Sequence, residues 1–210
     1  DVEFCGKHEL WSEALVVNPE NQGIKNVVVH VYVGRRGSEL PETPPRLSTL
    51  TLANLDCRFD PHIVLAQSGD TLSVTNPDPI GHNANMFFVN NQKVNFMIPA
   101  GKEKSVVLTE SEPAAVPVEC NIHPWMKAHL LVLDHPYAAV SDENGQLTIP
   151  ELPAGKTLIF QVFHESGKID SVLIDGSPVR WSRSRFEVDI QAGVNDLGTV
   201  VVPPDVFSAN

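Results

Sequence analysis

Seven consecutive residues, Cys120-Asn121-Ile122-His123-Pro124-Trp125-Met126, set a thiol, an imidazole and a thioether between two strand-like segments. Val116-Pro117-Val118-Glu119 leads in and Ala128 to Leu133 leads out. Zinc sites are built from Cys, His, Asp and Glu, a set without Met. One Cys, two His and a weak axial Met suit copper. The stretch lacks one His. The candidate is His82, in Asn76-Pro77-Asp78-Pro79-Ile80-Gly81-His82-Asn83, just after the strand-like Thr71-Leu72-Ser73-Val74-Thr75. An early His at a strand end and a compact loop between two later strands can converge four ligands only if the strands stack into a sandwich.

The punctuation of the chain agrees with that demand. Seventeen prolines and 13 glycines divide 210 residues into short apolar or alternating segments, which predicts an all-β fold. Asn26 to Val33 is β-branched almost throughout and reads as a central strand. Gly34 to Pro45 reads as a surface loop, and Leu47 to Leu55, Ile63 to Ala66 and Lys104 to Leu108 read as strands. No run of about 18 apolar residues occurs, so no membrane span is expected. The formal charge of −11 argues against a nucleic-acid or anionic-membrane surface. Gly-x-Ser-x-Gly, phosphate-binding glycine loops and His-Glu-x-x-His are absent from the sequence.

The ligand-type residues resemble the cupredoxins, the small blue-copper proteins. The two-residue gaps from Cys120 to His123 and from His123 to Met126 are most similar to amicyanin. Gly69 to Asn76, followed by His82-Asn83, resembles the first-histidine region of that family, and the likeness covers roughly residues 58 to 134. It implies a Greek-key cupredoxin β-sandwich holding one copper per chain, with His82, Cys120 and His123 as equatorial ligands and Met126 as the axial one. It also implies a mononuclear type 1 copper protein that shuttles single electrons and is not an enzyme; no His-x-His, which multicopper centres need, occurs. Asn83 would hold the two ligand-bearing loops together. The redox partner would be a basic cytochrome or an oxidoreductase. A copper-holding or delivery protein, or an extracellular binding module on the same scaffold, is the alternative. With Cys120 assigned to metal, Cys5 and Cys57 are left as a pair, and a periplasmic or secreted location would let them bridge.

Other residues keep two readings. Trp125 is either an exposed apolar rim beside His123 or core. Glu103, Glu110, Glu112 and Glu119 either steer a basic partner or form a solvated face. Arg180, Arg183 and Arg185 read as one face of a strand, with anion binding as the second reading. His30, His62, His129, His135 and His164 read as structural or surface histidines.

Beyond Asp134 the pattern changes. Tyr137 to Val140 and Leu147 to Ile149 flank Asn144-Gly145, a hairpin signal. Thr157 to His164, Ser171 to Ile174, Ser184 to Ile190 and Gly198 to Val202 follow as strands. The phrase Asp142-Glu143-Asn144-Gly145 through Leu152-Pro153-Ala154-Gly155 resembles the carboxypeptidase regulatory-like β-sandwiches. The expected organisation is a copper-binding domain over 1–134 and a C-terminal β-sandwich extension over 135–210. Gly23 to Val29 fits a strand of either sandwich.

Overall fold

A computed structural model describes residues 1–44 and 46–207. Pro45, where the expected loop ends, and 208–210, the end of the expected extension, lie outside the described residues. The described chain is almost wholly β. A one-turn helix, α1 (Val2–Cys5), is followed by β1 (Val28–Val31), β2 (Thr49–Leu55), β3 (Arg58–Asp60), β4 (Ile63–Gln67) and β5 (Thr71–Thr75). Then come β6 (His82–Met86), β7 (Val94–Ile98), β8 (Glu103–Val107), β9 (Val116–Glu119) and β10 (Lys127–Leu133). The last strands are β11 (Ala138–Val140), β12 (Lys156–Phe163), β13 (Ser171–Ile174), β14 (Ser177–Arg180), β15 (Arg185–Ile190) and β16 (Val200–Val201). A 3₁₀ turn spans Pro204–Phe207.

Two compact units result: Asp1–Glu13 with Thr43–Pro136, and Ala14–Glu42 with Tyr137–Asn210. This differs from the expected division at 134/135, because residues 14–42 join the second unit. The cause is strand pairing. β1 lies between β11 and β12, so Val28 to Val31 pair with strands from the C-terminal half.

The first unit stacks a five-stranded sheet, β4-β10-β9-β6-β7, with a four-stranded sheet, β3-β2-β5-β8. Strand alternation supplies the core. Leu72 and Val74 from β5 and Leu52 from β2 meet Ala84, Met86, Ile98, Val118, Ala128 and Leu130 from the larger sheet. Cys120 and Met126 belong to the same cluster, so the core runs up into the loop between β9 and β10. Cys5 and Cys57 form a disulfide that ties α1 to the β2–β3 turn.

The second unit has a four-stranded sheet, β11-β1-β12-β15, and a three-stranded sheet, β14-β13-β16. Val162, Ile169, Val172 and Trp181 form one cluster, and Val31, Tyr137, Leu158, Phe160 and Ile190 another. The expected hairpin across Asn144-Gly145 is not formed as two strands. A tight turn closes there, with Asp142 and Gln146 hydrogen-bonded, but β11 pairs with β1 and Ile149 packs against the Val31 cluster instead. Burying Ile149 there competes better than a short isolated hairpin, which is marginal in water. Nor do Arg180, Arg183 and Arg185 share one strand: Arg180 ends β14, Arg185 opens β15, and Arg183 lies in the turn between with φ 58°.

Candidate metal centre

The register of three strands builds the site. β9 and β10 are antiparallel neighbours, with Lys127 opposite Glu119, so residues 120–126 form the connection at one end of the sheet. β6 runs antiparallel to β9, with Asn85 opposite Glu119. The first residues of β6, His82 and Asn83, therefore stand beside Cys120 and Asn121. Within the loop, Met126 N–H donates to His123 O (2.9 Å) and Cys120 N–H to Met126 O (3.2 Å), which closes a compact turn. Asn83 joins the two pieces. Its Oδ1 accepts from Asn121 N–H at 2.7 Å and lies 3.5 Å from Cys120 Sγ, while its Nδ2 donates to Asn95 Oδ1 on β7 (2.8 Å).

His82, Cys120 and His123 are brought together and buried. His82 Nδ1 is 3.0 Å from His123 Nδ1, and Cys120 Sγ is 3.7 Å from His123 Nδ1. Met126 is also buried, held by its backbone in the same turn. Each histidine has a carboxylate behind it. Asp78 Oδ2 accepts from His82 Nε2 at 2.9 Å, and Asp1 Oδ2 lies 3.2 Å from His123 Nε2. Asp78 is itself fixed: its oxygens accept the backbone N–H of Asp56 and of Cys57, and its own N–H donates to Asn76 Oδ1.

Those partners assign the tautomers. A carboxylate behind each Nε2 demands a proton there, so both Nδ1 atoms carry lone pairs. Two lone pairs facing each other at 3.0 Å in a buried space repel, and a cation between them removes the repulsion. The separations suit one ion. A first-row metal such as zinc sits about 2.0 Å from nitrogen and about 2.3 Å from sulfur. Two nitrogens at 3.0 Å and a sulfur at 3.7 Å from one of them can therefore share it. Burial lowers the pKa of both histidines, more than the Asp78 carboxylate restores, which keeps the rings neutral and their lone pairs available.

Sequence reasoning missed Asp78 and Asp1 as the groups behind the rings. Asp78 is four residues before His82 but not on a helix, so its reach back to the ring depends on the Asn76-to-Asp78 turn. A grouping of Cys57, Asp78 and His82 also occurs, but Cys57 is spent in the disulfide and offers no thiolate. Trp125 is half-exposed; its ring lies 5.2 Å from that of His123, and its Nε1 donates to Cys57 O at 3.1 Å. Ile122 and Pro124 are exposed beside it. The acidic group does not form one face. Glu112 is buried, and its carboxylate accepts the N–H groups of Val89, Asn90 and Asn91.

A five-plus-four β-sandwich with a Cys/His loop between adjacent strands and a His from the next strand is a cupredoxin-like arrangement. Similar solved structures include an amicyanin mutant in its Cu(I) form, 16% identical over 40% of this chain and 81% of that one, with a TM-score of 0.36. A purple cupredoxin from Nitrosopumilus maritimus is 21% identical over 40% of this chain and 98% of that one, TM-score 0.33. A Cu-containing nitrite reductase from Thermus scotoductus SA-01 is 20% identical; the match spans 50% of this chain and only 25% of that enzyme, TM-score 0.37. No protein-family model and no curated protein matches the chain. Likenesses this distant carry no argument about activity, which rests on the site's own residues.

Proposed function

We propose that the chain is a mononuclear copper protein that carries single electrons, with His82, Cys120, His123 and Met126 as ligands. One observation carries the reading: two buried imidazole Nδ1 atoms and a buried thiol converge within bonding range of one ion, each imidazole backed by a carboxylate. When bound, copper would supply a one-electron couple whose potential Met126 would help to tune. The protein's own part is rigidity. Asp78 orients the His82 ring, Asn83 fixes the Cys120 end of the loop, and the core holds Cys120 and Met126 from below. Donors fixed this way move little when charge arrives or leaves.

Burial of the donors favours a carrier over a delivery protein, which must open to release its ion. The exposed Ile122, Pro124 and Trp125 beside His123 support docking of a redox partner there, and the net charge of −11 supports a basic one. The Cys5–Cys57 bridge supports an exported location. No helix among the described residues is long and apolar enough to cross a membrane.

The test is the visible absorption spectrum after addition of one equivalent of Cu(II), repeated for Cys120→Ala. The expected result is an intense thiolate-to-copper band near about 600 nm in the native chain alone. A colourless native chain overturns the proposal. Rapid loss of Cu(I) to a chelator favours delivery instead, and tight binding of a second equivalent favours an enzyme.

A further inference from the structure

The second unit carries a cluster of positive charge that the copper reading does not use. Two turns present it. In the first, Gly37 N–H donates to Gly34 O (2.7 Å) and Ser38 N–H to Tyr32 O (2.7 Å), so Arg35 and Arg36 stand at the tip. A β-carbon on Gly34 would lie 2.3 Å from the Tyr32 hydroxyl, so a larger residue here would have to push the Tyr32 ring aside. In the second, Ser184 N–H donates to Asp170 Oδ1 (2.5 Å), and Arg185 N–H to Ser182 O (3.2 Å). Arg36, Arg183 and Ser184 hold φ of 60°, 58° and 56°, a region that side chains enter at a cost.

Together the turns line a cavity of about 390 Å³ with Arg35, Arg36, Arg183 and Arg185, beside Tyr32 and Phe186. These are four of the seven arginines in a chain of net charge −11. Glu187 is the one acid in the lining. No side-chain hydrogen bond or ion pair engages Arg35, Arg36 or Arg183 among the described residues. Arg185 is held differently. Its guanidinium carbon lies over Tyr32, 3.3 Å from the ring centroid, and its Nε donates to Gln161 Oε1 at 3.3 Å. The ring and Gln161 fix the group while its terminal nitrogens keep their donors for a ligand. Phe186 is locked by stacking on Phe160 and Trp181, so the wall beside the arginines is rigid.

Gathering like charges costs repulsion, and holding residues at positive φ costs strain; a solvated surface needs neither. The geometry points to an anion-binding site that takes a small polyanion bearing two or more carboxylate, phosphate or sulfate groups. Guanidinium forks match such oxygens two bonds at a time. The cavity falls in the size range of small-molecule sites and is too large for a single inorganic oxyanion.

The experiment is titration calorimetry of the full chain with citrate and, separately, with inorganic pyrophosphate. Three variants are compared: Arg35→Ala, Arg183→Gly and Arg180→Ala. Glycine at 183 keeps the positive φ, and Arg180 lies outside the cavity. The expected result is saturable binding of at least one probe, weakened about tenfold by Arg35→Ala and by Arg183→Gly and unchanged by Arg180→Ala. Preference for citrate assigns carboxylates, and preference for pyrophosphate assigns phosphoryl groups. No saturable binding of either probe overturns the proposal, as does an equal loss in Arg180→Ala. The copper band of each variant is recorded alongside and is expected unchanged, so failure here is separable from failure of the copper site.

Discussion

The two units use charge in opposite ways. In the first, Asp70, Asp78 and Glu112 are 0%, 3% and 8% exposed, and each accepts backbone N–H groups from a loop. Asp70 collects Ser48 and Gln67 together with the Arg46 guanidinium; Glu112 collects Val89, Asn90 and Asn91. In the second unit the comparable group, Asp170, is only half-buried and collects Ser184 alone, while the arginines stay at an open cavity. A buried carboxylate that takes several N–H groups turns a loop into a fixed part. In the unit that carries the candidate metal site, buried carboxylates fix the loops from inside. The other keeps its charges unspent.

The contrast breaks most visibly at Asp70. Asp70→Ala removes the acceptor of one buried and one part-buried N–H group and the partner of the exposed Arg46 guanidinium, so a loss of about 2 to 3 kcal/mol is expected in urea unfolding. A loss under about 1 kcal/mol would mean that water satisfies these donors and that the anchoring is not structural. Glu112→Gln should cost about 2 kcal/mol near neutral pH, because the amide keeps one acceptor and turns the other into a donor facing N–H groups. This second change also carries a pH signature. Burial raises the Glu112 pKa, but the Asn91 side chain and the three backbone donors outweigh it, so the folded value lies below the ordinary one; Asp70 is lowered in the same way, with Arg46 leading. A depressed carboxylate contributes stability above its unfolded pKa and loses it as pH falls through the folded pKa. The gap between native protein and Glu112→Gln should therefore be full at neutral pH and close progressively below the ordinary glutamate range. A gap that stayed constant into acid would show that the charge of Glu112 is not what holds the loop.

Much of this was legible from local sequence, and the failures have a common cause. The Cys120 to Met126 spacing is local, and the structure brings Cys120 and His123 together with His82 because β6 pairs with β9. Ser171 to Ile174 was legible as a strand because its apolar and β-branched run is bounded by polar and glycine residues. What stayed hidden depends on distant partners. Asn26 to Val33 announces a strand but not its neighbours, and β11 and β12 draw it into the second unit. Glu112 looks like any acid in a proline-bounded loop until residues 89–91 turn their N–H groups toward it. Asp78 needs both the Asn76 turn and the orientation of the His82 ring before its role exists.

The smallest effect is the most informative about the second unit. Asp170 Oδ1 accepts Ser184 N–H and lies 3.3 Å from Ser184 Oγ, and its carbonyl accepts Trp181 N–H, so it spans the turn that carries Arg183. Asp170→Ala removes the side-chain anchor and leaves the backbone bond. With partial exposure, water replaces part of what is lost, and the stability change should be only about 1 kcal/mol. Anion binding should nonetheless weaken, because Arg183 and Ser184 sit at positive φ and relax once Ser184 is released. Hydrogen exchange at residues 182–185 should quicken while exchange at 89–91 is unchanged. If Asp170→Ala instead cost as much as Asp70→Ala, the second unit would also be built on an anchored carboxylate, and the distinction between a fixed loop and a poised one would have to be abandoned. A small stability loss with a large loss of anion affinity would place the strain of this turn in the service of the cavity.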